Sequence, residues 1–171
     1  MTPSTAGRCL APLKPLLLLI SIAAAGADLS QELLEAVRSG QTANVRSLLG
    51  RGANPNAKDD NGSTALMEAA TRGHTPIVKL LLAKRAEVNA KSEGFTVLML
   101  TVTSFGPNRV EVVKALLDGG ADINAKYFLD PSDLRDEGQT ALDLAETLAL
   151  AGNKDADRII HLLKVKTTSK K

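Results

Sequence analysis

The chain has 171 residues, of which 44% are hydrophobic and 2% aromatic, and it carries a formal charge of +2. That length supports one domain with room for an appendage. With no Trp, one Tyr and three Phe, the core has to be assembled from Leu, Ala, Val and Ile, a palette suited to closely packed helices. Arg8 and Lys14 account for the whole charge excess, because residues 28–171 hold nineteen bases and nineteen acids; a neutral domain leaves no electrostatic footprint for nucleic acid.

In chain order, the basic pair Arg8 and Lys14 comes first. An apolar run of ten residues, Leu16 to Ala25, follows and ends in the small residues Ala25-Gly26-Ala27. Charge, apolar run and small-residue step, in that order, predict a secretory signal peptide over 1–27. The run is too short for a spanning helix, which needs roughly 20 apolar residues, so no stable membrane insertion is expected after cleavage. Cys9, the sole cysteine, precedes the run, which argues against a lipid anchor there and leaves the mature chain without thiol chemistry.

Residues 28–164 repeat themselves. Gly62-Ser63-Thr64-Ala65-Leu66, Ala69-Ala70-Thr71-Arg72-Gly73-His74 and Ile77-Val78-Lys79-Leu80-Leu81 lead to Ala86-Glu87-Val88-Asn89-Ala90-Lys91. The same order returns from Glu93-Gly94-Phe95-Thr96-Val97-Leu98 to Asn124-Ala125-Lys126, and again from Gly138-Gln139-Thr140-Ala141-Leu142. An incomplete copy precedes them and ends at Asn56-Ala57-Lys58. Asn56 to Asn89 is 33 residues and Asn89 to Asn124 is 35, against an ankyrin period of about 33.

The motifs G-x-T-A-L, A-A-x-x-G-H, I-V-x-L-L and G-A-x-x-N-A, in that order, closely resemble those of the ankyrin-repeat family, in its small exported bacterial form. The resemblance implies an all-α ankyrin-repeat solenoid of about four helix-turn-helix repeats with connecting hairpin turns. The repeats lie roughly at 29–58, 59–91, 92–126 and 127–164, with a polar tail at 165–171 too hydrophilic to fold. Ala65, Val97 and Ala141 stand where the family usually has Pro, which removes some preset φ without removing the helix. The third copy gains residues around Phe105-Gly106-Pro107-Asn108, and the fourth gains about ten before Gly138.

Within the second copy, Thr64 is placed to cap a helix, and Leu66, Ala69 and Ala70 follow at helical spacing. Gly73 is placed to end the helix, and Ile77, Leu80 and Leu81 form the next stripe. A lone helix pair leaves that stripe half exposed, so neighbours have to stack on it. Polar residues at both ends, Gln31, Glu32, Glu35 and Arg38 on the first helix and Lys154, Asp157, Arg158 and Lys164 on the last, are read as caps.

No catalytic motif is present: G-x-S-x-G, a phosphate-cradling Gly loop and H-E-x-x-H are all missing. His74 is expected to brace the turn between helices, and His161 has no like partner nearby. Two separated histidines fall short of a zinc site. Asp130, Asp133, Asp136 and Glu137 lack the spacing of an EF-hand calcium loop. The expectation is therefore no enzyme, no cofactor and no metal.

Ankyrin-like proteins bind through hairpin tips and the concave face of the first helices. The resemblance implies contact residues Asp60, Asn61, Ser63, Thr71 and Arg72 in the second copy, and Glu93, Phe95 and Thr103 in the third. In the fourth it implies Asp136, Glu137, Gln139 and Thr147. Phe95, Phe105, Tyr127 and Phe128 all fall in turn or insertion segments. Display to a partner is expected for Phe95 and Tyr127, and also for Phe128; if so, removing the first two rings leaves stability nearly unchanged. The alternative is that Phe128 covers the open edge and Phe105 plugs the inter-helix turn. The whole reads as a monomeric, non-enzymatic module that holds another protein in the periplasm or after secretion. A secreted effector binding a host protein is the competing reading.

Overall fold

The computed structural model describes residues 29–128 and 137–168. The expected signal segment 1–27, Asp136 and the three terminal residues lie outside them. Eight helices form four antiparallel pairs among the described residues. The first pair is α1, covering residues 29–38, and α2, Thr42–Gly50. Next come α3, Ala65–Thr71, and α4, Thr75–Ala83, then α5, Val97–Thr103, and α6, Arg109–Asp118. The last are α7, Ala141–Leu150, and α8, Ala156–Thr168. Two short strands, β1 (Lys91–Ser92) and β2 (Phe95–Thr96), pair antiparallel between the second and third repeats.

The first helices of the second, third and fourth pairs begin at the same chemical device. Thr64, Thr96 and Thr140 sit in extended backbone, and their hydroxyls accept from the amides of Met67, Met99 and Asp143 at 3.2, 3.3 and 3.3 Å. A side-chain acceptor at that point satisfies an N–H group that the helix itself leaves without a partner. The turn that ends α3 is made by Gly73 at φ 73°, a conformation glycine adopts without steric cost. The ring of His74 then lies against the preceding repeat, where a methyl added at Gly40 would come 2.9 Å from its Cε1. This imidazole thus packs across a repeat boundary.

The third repeat carries its insertion on the same edge. Its loop presses onto the second repeat so closely that a methyl at Gly73 would overlap the Pro107 carbonyl, and one at Gly106 the Thr71 carbonyl. On the other edge, Asn56 Oδ1 accepts from the Glu87 amide at 2.7 Å, and Asn89 Oδ1 accepts from the Asp122 amide at 2.8 Å. The turns of the first and second repeats are thereby each stapled to the turn of the next.

One continuous apolar core runs through the stack. Leu33, Val37 and Val45 of the first pair join Leu66, Ile77 and Leu81 of the second, and Leu98, Met99, Leu116, Ile159 and Leu163 continue it. Leu80 is half-buried against the same core. Each fully buried side chain of this size contributes about 1.5–3 kcal/mol relative to exposure. The tail departs from the composition-based reading, because α8 continues to Thr168. Lys166 reaches Asp118 at 3.3 Å, and the Thr167 hydroxyl donates to the Leu163 carbonyl at 2.8 Å. A helix already nucleated on the core extends through polar residues that would not start one.

Candidate binding surface

The hairpins and first helices make one face of the stack. At the second hairpin, Asp59 Oδ1 accepts from the amides of Asn61 and Ser63 at 3.0 and 2.9 Å, which closes the tip and leaves Asp60 and Asn61 exposed. Ser63 is half-buried. At the next tip, Glu93 and Gly94 have φ of 50° and 85° between the paired strands. Two successive positive φ values are what a tight two-residue hairpin with matching twist requires. Glu93 is exposed there. The corresponding point of the fourth repeat is an isolated bridge between Tyr127 and Gln139, whose amides and carbonyls exchange bonds of 2.9 and 2.7 Å.

Along the first helices, the expected contact residues divide. Arg72 is exposed and pairs with Glu68 at 2.9 Å. Glu68 lies 3.8 Å from Arg38, which in turn bonds Asp59 at 2.7 Å. This chain of alternating charge satisfies itself within the first two repeats. Thr71, Thr103 and Thr147 occupy equivalent positions, yet their hydroxyls donate back to the carbonyls of Met67, Met99 and Asp143 at 3.0, 3.1 and 2.9 Å. They offer a partner methyl groups and lone pairs, with the donor already engaged. Leu100 and Leu144 stand where Glu68 stands one and two repeats earlier, so the face passes from charged to apolar along the stack.

The aromatic side chains correct the sequence reading in two places. Phe95 and Tyr127 are stacked on each other, with centroids 3.8 Å apart and planes 23° from parallel, and both pack half-buried on the core. Loss of either ring is therefore expected to lower stability: aromatic pairing contributes about 0.5–1.5 kcal/mol beyond area burial. A thermal double-mutant cycle on Phe95→Ala and Tyr127→Ala checks this, and simple additivity would rule the stack out as a stabilising contact. Phe105, in contrast, plugs nothing and is 88% exposed. Phe128 combines both expectations: 42% exposed, it also lies over Gly138, where an added Cβ would come 2.7 Å from its ring. Lys126 Nζ donates to the Glu137 carbonyl at 2.6 Å, holding the exposed Glu137 beside it.

Sequence reasoning missed three features: the Asp59–Arg38–Glu68–Arg72 chain, the exposed Leu150 at 92%, and the buried Arg109. Counting back thirty-five residues from Arg109 reaches His74, the bracing residue of the previous copy, and that register was the available signal. Among the described residues no cluster of three or more His, Cys, Asp or Glu is placed to hold a metal, and no helix is long and apolar enough to cross a membrane.

Stacked helix pairs that present hairpin tips and first helices along one face define a repeat-built binding scaffold. A family model for ankyrin repeats, in three copies, matches residues 33–127, and the chain belongs to the ankyrin-repeat family. Comparison with curated proteins gives no match. Proteins of this family are interaction modules that bind other proteins.

Proposed function

We propose that this chain holds another protein outside the cytoplasm, through the hairpin edge and first-helix face of its third and fourth repeats, with no chemical step of its own. The observation that carries the reading is the aromatic ledge where those two hairpins meet. Phe95 and Tyr127 are locked by stacking, and Tyr127 and Phe128 line a depression with Lys91, Glu93 and Lys126. Aromatic side chains are enriched at binding hot spots, and rings already held in place lose little freedom when a partner arrives. Leu100, Thr103 and Leu144 add uncharged surface beside the ledge. The partner this fits presents an apolar or aromatic side chain within a rim of mixed charge. Export rests on the order of charge, apolar run and small residues in 1–27.

The test is site-specific photo-crosslinking in cells that produce the full chain. A crosslinker replacing Phe128 is expected to trap one discrete protein, and the same group at Glu111, on the second-helix face, to trap none. Equal capture at both positions, or none at 128, would remove this surface. Fractionation tests the location. Recovery from the periplasm is the expected result, recovery from the medium and from host extracts points to a secreted effector, and retention in the cytoplasm contradicts export.

A further inference from the structure

Arg109 is the one charged side chain that is buried among the described residues, at 4% exposure. It opens α6, and its Nη1 donates to the carbonyls of Ser104 at 2.7 Å and Val102 at 3.3 Å, where α5 ends. Its Nη2 donates to Asn153 Oδ1 at 2.5 Å and lies 3.6 Å from the Asp155 carboxylate, both in the turn between α7 and α8. A single guanidinium thus ties the inter-helix loop of the third pair to that of the fourth.

The apolar part of the fourth pair's joint is built from fewer fully buried side chains. Helix α7 buries only Ala141 and Ala145, and α8 adds Ala156, Ile159 and Leu163. The interior pair, α5 and α6, buries Leu98, Met99, Val102, Val112, Leu116 and Leu117 among others. In a linear stack a terminal unit has one neighbour, and small buried side chains make that one interface lighter still. A desolvated guanidinium stabilises the joint only while its acceptors stay in place; losing one leaves a buried charged donor unpaired.

We propose that α7 and α8 open from the third repeat as one body, and that the clasp of Arg109 on Asn153 and Asp155 sets how often they do. Opening rehydrates the guanidinium and bares the sides of α5 and α6 that the fourth pair covers. The described chain then has two states that differ only in the docking of its last repeat. This inference is independent of what the protein binds.

Hydrogen exchange followed by mass spectrometry on the full chain tests it. Amides of 141–165 are expected to exchange together and faster than those of 97–118. Asn153→Ala removes the Nη2 hydrogen bond, leaving only the longer contact with Asp155, and should speed exchange over 141–165 by about tenfold, with α1 to α4 unchanged. In an Arg109→Met background no buried charge remains to be stranded, and Asn153→Ala removes only the bond that Asn153 Oδ1 accepts from the Asp155 amide at 3.1 Å, so the same change should have a clearly smaller effect; Arg109→Gln provides that background if Arg109→Met does not fold. The clasp is overturned if Asn153→Ala loosens all repeats alike, loosens none, or acts as strongly without Arg109.

Discussion

Asp143 shows how a single carboxylate is drawn into the fold. The Thr140 hydroxyl donates to it at 2.7 Å and the Thr140 amide at 2.8 Å. These bonds, the side-chain one foremost, and the charge of Lys126 hold its pKa below the ordinary carboxylate value against a smaller opposing effect of burial. The native state therefore favours the ionised form. Its contribution to stability is present above the unfolded pKa of about 3.9 and is lost as pH falls through the lower native value. The gap in melting temperature between wild type and Asp143→Asn should be steady near neutrality and close below about pH 4; a gap unchanged at still lower pH would contradict this. Arg85 gives a second residue-scale expectation. It has φ 63°, at the position where the first and third repeats carry Gly52 and Gly120. A side chain in that left-handed conformation costs roughly 1–2 kcal/mol, partly offset by the extra freedom glycine has when unfolded. Arg85→Gly should thus raise the melting temperature by a few degrees, and a lower value would show that the arginine side chain matters more than its backbone. Positions such as Thr64, Gly73 and the leucine stripes were legible in the sequence because their physics is local. Arg109 and Asn153, 44 residues apart, were not, since nothing local announces a bond across a repeat boundary.

At the scale of elements, the insertion of the third repeat is the most informative piece. Residues around Phe105-Gly106-Pro107-Asn108 lack helical period, so the sequence located a loop without giving its direction. The structure lays its backbone on the loop of the second repeat, and Asn108 enters α6 at φ 54° with its side-chain amide donating to the Gly73 carbonyl at 3.4 Å. Gly106→Ala should force these loops apart and cost about 1–3 kcal/mol, the usual range for overpacking, as measured by chemical denaturation. An unchanged midpoint would show that the contact relaxes freely. The hairpins were legible only as turns. Their glycines marked where the chain reverses, whereas the stacking of Phe95 on Tyr127 depends on two segments 32 residues apart. For the same reason α8 outran the sequence reading, because Lys166 finds Asp118 only once α6 and α8 lie side by side.

For the whole molecule, stability is close to a sum over units and their joints, and the asparagine staples recur at the same register as the helices. Removal of residues 57–89 places Asn56 where Asn89 was, one period away from the donating Asp122 amide. The shortened chain is expected to fold as three helix pairs with a single, lower melting transition followed by circular dichroism. Loss of helicity would show that the second repeat is individually required. Because the first two joints share the same asparagine staple, loss of the unit between them in the gene leaves that contact to be remade at the new junction. Lineages carrying such an array can therefore alter the reach of the protein in steps of one repeat, without inventing a new contact to seal the cut.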